Sequence, residues 1–235
     1  MEEAAARFPQ RKAYEDETCS MTFSEVRRLA ASIGTGIAAL ENPGRPVAVF
    51  MEKSVWMAVS LLGVSCGGCI YCPVDVAMPE ARMDRILSVL EPAAVLTSGS
   101  MGARAREACG DCPVLLVEDL AARPADEALL ASLRARIKSS DPLYILFTSG
   151  STGMPKGVVG THQTVLNNLE WLASRFDLGP DDVLGNQAPL HFVVADHDLY
   201  CPLKFGCSSF FIPAGYFSFP AKLIPLLNQH RVTTV

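Results

Sequence analysis

Charge is scarce in this chain, and neither sign dominates it. Only 19% of the 235 residues are Asp, Glu, Lys or Arg, and the formal net charge is −5. Without a basic stripe to neutralise a phosphate backbone, no nucleic-acid partner is expected. No secretory leader is expected, since Met1-Glu2-Glu3 is acidic and Arg7 interrupts any apolar run, and a cytoplasmic location is expected. There is no internal repeat and no low-complexity tract. The one long uncharged stretch, Val55 to Val74, contains Gly63, Ser65, Gly67, Gly68 and Pro73. Its glycine pair divides it into a helix-length and a strand-length piece, whereas a membrane span needs about 20 predominantly apolar residues. No membrane partner is expected.

A complete cysteine cluster is missing as well. Cys66, Cys69 and Cys72 have the two-residue spacing of zinc and iron–sulfur ligands, and Cys109 and Cys112 repeat it. No fourth cysteine completes a local set, and none of the four histidines lies near it. The thiols read as small buried hydrophobes, and no metal site is expected from them. What the chain does have is apolar mass. Hydrophobic residues make up 49% of it, enough for a substantial core. A mean hydropathy of +0.23 is high for a free-standing soluble protein and suggests that part of the surface packs against something further.

Short apolar strands alternate with amphipathic helices. Ser24 is placed to cap a helix through Val26, Leu29, Ile33, Ile37 and Leu40. Strands are expected at Pro46–Phe50 and Ile70–Val74, with a helix capped by Ser54 between them. Pro79 opens a helix through Met83, Ile86, Leu87 and Leu90. Strands follow at 93–96 and 114–117, with a helix between. Residues 121–140 form an exposed connection with one short helix. Thr161 caps a helix with Val165, Leu169, Leu172 and Phe176 on one face, and strands at 183–189, 208–213 and 232–235 complete the pattern. This alternation predicts an α/β fold of largely parallel sheets flanked by helices.

The densest chemistry lies in Leu143 to His162, LYILFTSGSTGMPKGVVGTH. Leu143 to Phe147 has the length and the Tyr, Ile and Phe content of a buried strand. It stops at Thr148-Ser149-Gly150-Ser151-Thr152-Gly153, followed by Met154, Pro155, Lys156 and Gly157. Glycines let backbone N–H groups crowd round an anion, hydroxyls donate hydrogen bonds, and lysine adds a mobile charge. Those are the groups that a triphosphate needs. The spacing excludes the common P-loop: four residues after Gly150 comes Pro155, and Lys156 is followed by Gly157 instead of a hydroxyl residue. A dinucleotide-binding G-x-G-x-x-G is absent too.

Phe147 to Gly157 resembles the signature loop of the adenylate-forming superfamily, an aromatic residue followed by T-S-G-S-T-G-x-P-K-G. That superfamily includes acyl-CoA synthetases, luciferases and nonribosomal peptide synthetase adenylation domains. Met21 to Val26 and Leu62 to Asp75 are similar to two further family segments. The likeness is greatest to amino-acid adenylation domains and D-alanine–carrier protein ligases. It implies that residues 1–235 are the N-terminal portion of the AMP-binding large domain, with approximate subdomains 1–140 and 141–235. The rest of that domain and a C-terminal lid domain carrying a catalytic lysine would be absent, so the 235 residues alone are expected to be inactive.

The resemblance implies that ATP and Mg²⁺ serve to activate a small carboxylic or amino acid as an acyl-adenylate, with pyrophosphate released. A carrier-protein phosphopantetheine thiol is the expected acceptor. A CoA thiol, or a non-catalytic nucleotide-binding module, are the alternatives. Lys156 and Thr148 take the catalytic positions. Thr148, Ser149, Gly150, Ser151, Thr152, Gly153, Lys156 and Gly157 take the phosphate-binding ones. The substrate segment falls on His191, Phe192, Val193 and Asp196. Amino-acid-activating relatives carry F-D-x-S there, the aspartate facing the substrate's α-ammonium, yet here Val193 follows Phe192. Either the acid lacks an α-amine, or Asp196 supplies the charge by a changed local path. The bland reading of Asp196, His197 and Asp198 is a solvated helix start.

Overall fold

The computed structural model describes every residue except Glu41 and residues 149–153. The chain opens with α1 (Glu2–Arg7), β1 (Lys12–Glu15), β2 (Ser20–Thr22) and α2 (Phe23–Ala38). Next come β3 (Pro46–Phe50), α3 (Val55–Cys66), β4 (Ile70–Val74), α4 (Glu80–Leu90), β5 (Ala94–Thr97), α5 (Gly102–Cys109) and β6 (Val114–Leu116). Two short helices, α6 (Val117–Ala121) and α7 (Glu127–Arg134), lead to β7 (Pro142–Thr148), β8 (Lys156–Thr161) and α8 (His162–Arg175). The last elements are β9 (Val183–Asn186), α9 (Asp196–Phe205), β10 (Ser208–Phe211) and α10 (Pro220–Gln229).

These elements form two compact units that interleave along the chain. One comprises Met1–Arg27, Lys53–Ala58 and Val165–Val235, and the other Arg28–Glu52 and Val59–Thr164. The second unit holds a six-stranded sheet in the order β6-β5-β3-β4-β7-β8, parallel except for β8. A parallel strand covered on both faces reads as a continuous apolar run. Thus β4 and β5 are buried at every position, and β3 at all but its first. Ala48, Phe50, Cys72, Val74, Met83, Leu90, Val95 and Ala105 make one core cluster, against which Ile145 and Phe147 pack.

The first unit holds a four-stranded sheet, β2-β1-β10-β9, whose β1–β10 and β10–β9 pairs are parallel and whose β1–β2 pair is antiparallel. Phe210, Ile212 and Leu226 centre its core. The expected α/β class is therefore found, and Val55 to Val74 is indeed a helix followed by a strand. Among the described residues no helix is long and apolar enough to cross a membrane.

Several local features depart from expectation, among them the strands expected at 183–189 and 208–213, which end at Asn186 and Phe211. Helix α2 is capped by Thr22 and not Ser24: Thr22 Oγ1 accepts from Glu25 N at 3.3 Å, while Glu25 Oε2 accepts from Thr22 N at 2.8 Å. This reciprocal capping box satisfies two end groups at once, which Ser24 cannot do from inside the helix. Strands β1 and β2, too short to show a periodicity, were not anticipated. Phe176 lies beyond α8 and is 51% exposed, so it does not extend the buried face of Val165, Leu169 and Leu172. The strand expected at 232–235 is a single parallel bridge, Leu184 to Thr234, because the flanking residues make no further ladder pairs.

The tightest packing in the second unit lies under β8. A Cβ built on Gly160 would stand 2.0 Å from Tyr144 Cζ, so only glycine lets the strand cross that ring. Gly160→Ala is expected to destabilise the protein by about 1–3 kcal/mol, the usual cost of overpacking. Urea unfolding measures it, and an unchanged midpoint contradicts this packing.

Candidate active site

The first group of site residues lies on the β7–β8 pair. Strand β7 forms because Leu143, Tyr144 and Leu146 are buried while Ile145 and Phe147 pack on the core of their unit. Lys156 and Gly157, read from the sequence as the end of a loop, instead begin β8. The antiparallel register pairs Phe147 with Gly157 and Thr148 with Lys156. Residues directly opposite in such a pair project from the same face with Cβ atoms about 4.5–5.5 Å apart. The Thr148 hydroxyl and the Lys156 ammonium thus share one face, and both residues are exposed. Thr148 Oγ1 donates to the Lys156 carbonyl at 3.5 Å, the outer limit of a hydrogen bond. Gly157 has a packing reason of its own, since a Cβ there would meet Ile145 Cγ2 at 2.9 Å. Ser149, Gly150, Ser151, Thr152 and Gly153 lie outside the described residues.

The second group lies in the other unit, ahead of and within the first turn of α9. The His191 and Phe192 rings stand 4.8 Å apart. Phe192 and Val193 are 54% and 56% exposed, whereas Asp196 is 8% exposed. A cavity of about 740 Å³ opens beside them. Its lining is mostly apolar and includes Trp171, Leu172, Phe176, Leu184, Cys201 and Phe217. Val194, His197 and Asp198 line it, but none of the four residues expected to meet the substrate, His191, Phe192, Val193 and Asp196, does. That volume falls in the range of small-molecule sites, which are mostly apolar with a few placed polar groups.

Those polar groups are largely ones that the sequence reading passed over. Asn168 Nδ2 donates to His197 Nε2 at 2.8 Å, which places the neutral ring's proton on Nδ1. Burial lowers the His197 pKa and keeps the ring uncharged at neutral pH. Asp198 Oδ2 accepts from Asn186 Nδ2 at 2.7 Å. Burial raises its pKa to about 6, with the Asn186 hydrogen bond and the Lys53 charge pulling the other way. Burial likewise lowers Lys53 to about 8, partly offset by Asp198. Asp196 and Asp198 are therefore not a solvated helix start. One signal was available: Lys53 follows the buried parallel strand β3, and residues after such strands often face ligands. Asn186, at the end of a four-residue strand, gave none.

Burial pushes the Cys72 thiol up to about 12 and keeps it protonated, as expected of a small hydrophobe. All eight cysteines are free. Among the described residues no three His, Cys, Asp or Glu side chains are placed to hold a metal ion.

Comparison with known proteins extends over the whole chain. A family model described as "AMP-binding enzyme" matches residues 1–235. Vanchrobactin synthetase VabF of Vibrio anguillarum is 29% identical over 97% of this chain and 8% of its own length. The L-proline–[L-prolyl-carrier protein] ligase of Pseudomonas fluorescens is 28% identical over 99% of this chain and 48% of its own. The chain thus spans less than half the length of these relatives. Among solved structures, the nonribosomal peptide synthetase FmoA3 bound to α-methyl-L-serine-AMP superposes with a TM-score of 0.86. It is 28% identical and is matched over 97% of this chain and 25% of its own. Its AMPPNP-bound form gives a TM-score of 0.82.

The raised Asp198 pKa carries a stability signature. The folded state takes up this proton near pH 6 and the unfolded chain only near the usual carboxylate value. Asp198 therefore adds stability as pH falls from about 6 towards that value. Asp198→Asn should remove this contribution from the pH dependence of urea unfolding. An identical pH dependence in the variant contradicts the assignment.

Proposed function

The chain belongs to the AMP-binding enzyme family, and from that premise we propose that it is the N-terminal part of an ATP-dependent ligase that activates a carboxylic acid as its acyl-adenylate. A carboxylate oxygen attacks the α-phosphorus of ATP, an acyl–phosphate bond forms, and the bond to the β-phosphate breaks to release pyrophosphate. Both reactants are anions, so preorganised donors and cations lower the barrier by meeting the charge that develops. The observation that carries the reading is the β7–β8 register, which pairs Thr148 with Lys156 at the two ends of the hydroxyl- and glycine-rich segment. Thr148, Lys156 and Gly157, with residues 149–153 between them, are the proposed phosphate grip.

Mg²⁺ would supply further charge neutralisation to the phosphates. Among the described residues no His, Cys, Asp or Glu side chains are grouped to hold that ion. The cavity beside α9 is the proposed seat of the acid. Val193, which stands where amino-acid-activating relatives carry aspartate, does not line this cavity, and the Asp198 carboxylate that does is already engaged by Asn186; burying an unpaired ammonium costs several kcal/mol. The acid is accordingly proposed to lack an α-amine. A carrier-protein thiol is the proposed acceptor, in keeping with the named activity of the prolyl-carrier ligase. The cytoplasm is the proposed location, where free thiols such as these persist.

The test is ATP–pyrophosphate exchange by a longer protein in which these residues are followed by the remainder of the family domain. Keto, hydroxy, aryl and simple acids should support faster exchange than the corresponding α-amino acids. Lys156→Ala should slow exchange by about 10²–10³-fold, as for loss of one transition-state donor. Exchange strongest with an ordinary α-amino acid contradicts the substrate class, and full activity in Lys156→Ala contradicts the phosphate assignment.

A further inference from the structure

Three polar residues join the two walls of the cavity beside α9. The Lys53 ammonium donates to two consecutive carbonyls, Asn186 O at 3.3 Å and Gln187 O at 3.2 Å. It thereby holds the segment leaving β9, whose residues Gln187, Ala188 and Pro189 form one wall. The Asn186 side chain carries the tie onward through its hydrogen bond to Asp198 Oδ2 at 2.7 Å. Asp198 lies in the first turn of α9, whose Val194 and His197 neighbours form the other wall. Ser209 Oγ, from β10, donates to the Asp198 carbonyl at 2.6 Å. A chain of hydrogen bonds thus runs from Lys53 through the end of β9 to the start of α9.

The arrangement is costly for the fold. Two ionisable groups sit partly out of water, and Asn186 Oδ1 is buried with no hydrogen-bond partner among the described residues. An unmade buried hydrogen bond and desolvated charges both work against stability, and apolar residues of similar volume often do better. A role in shaping the cavity accounts for these groups where stability does not. We propose that Lys53, Asn186 and Asp198 are positioning residues for the acid-binding cavity, tying its β9 wall to its α9 wall so that His197 and Val194 meet the bound acid in a fixed arrangement. The proposal rests on the reading of the cavity as the acid's seat.

The electrostatics give the proposal a distinctive signature. The groups acting on Asp198 are Lys53, ahead of α3, and Asn186, on β9. Asp198 in turn raises Cys201, on α9, and Cys207, ahead of β10; burial has already raised both thiols, so neither ionises near neutrality. Asp198 titrates near 6 and Lys53 near 8, so both are charged only between those values. Affinity for the acid is expected to be highest in that window. It should fall below it as Asp198 gains a proton, and above it as Lys53 loses one.

The test combines the chain as it stands with the longer enzyme. In the 235-residue chain, carboxyl-carbon NMR follows Asp198 and ring-nitrogen NMR follows His197. Lys53→Met should move the Asp198 midpoint upward from about 6, because the ammonium lowers it, and should shift the His197 ring signals. Lys53→Arg should restore both. In the longer enzyme, Lys53→Met should raise KM for the acid about 10-fold or more while KM for ATP changes less than about 2-fold, since misplacement is felt only by the ligand that meets it. Asp198→Asn should flatten the acidic limb of that KM profile. An unmoved Asp198 midpoint in Lys53→Met overturns the proposal, as do equal changes in both KM values. Should no acid support exchange in the unsubstituted enzyme, the ligase reading fails, and the NMR outcomes alone decide the positioning role.

Discussion

The antiparallel pairing of β7 with β8 is the interaction on which the proposed phosphate grip depends. In a strand pair the side-chain period is two, so a slip of one residue would send every side chain to the opposite face. Here the register is fixed by shape. Gly160 crosses the Tyr144 ring and Gly157 lies over Ile145, with no room for a side chain at either place. A slip of one residue would press Val158 or Val159 onto those contacts. The same constraint sets Thr148 opposite Lys156, a hydroxyl beside an ammonium on one face of the sheet. Core packing of Ile145 and Phe147 on one side of the strand therefore positions polar chemistry at its end.

The other unit solves a different problem. Its cavity is mostly apolar, yet beside it the Asn186 amide is buried and Asp198 and Lys53 are half-buried, and the two ionisable groups pay a desolvation penalty that raises the aspartate's pKa and lowers the lysine's. The penalty is partly offset because the groups face one another: Asn186 donates to Asp198, and Lys53 donates to the backbone that carries Asn186. A neutral His197, held by Asn168, adds directional hydrogen bonding without another buried charge.

Much of this was legible in the sequence where the signal is local. The limits of β3 and β4 are legible because fully buried parallel strands are uninterrupted apolar runs. Ser54 and Thr161 cap their helices as their positions imply: Met57 N donates to Ser54 Oγ and Thr164 N to Thr161 Oγ1. What failed depended on partners distant in the chain. Strand β1 exists because β10, nearly two hundred residues on, pairs with it. Thr22 outcompetes Ser24 as a cap because Glu25 reaches back to it. The strand character of Lys156 and Gly157 comes from β7 and not from their own glycine-rich neighbourhood. Asn186 and Asp198 lie twelve residues apart on different elements, and Lys53 is farther still, so no spacing rule joins them.

The central claim is that the Thr148–Lys156 end of the β7–β8 pair holds the phosphates of a nucleotide. Titrating AMPPNP with Mg²⁺ into the nitrogen-15-labelled chain and following backbone amides tests it most directly. Shifts should concentrate at residues 148–157 and vanish in Lys156→Ala, while β3 and β4 stay unmoved in both. Shifts that avoid that segment, or that persist unchanged in the variant, would contradict the account.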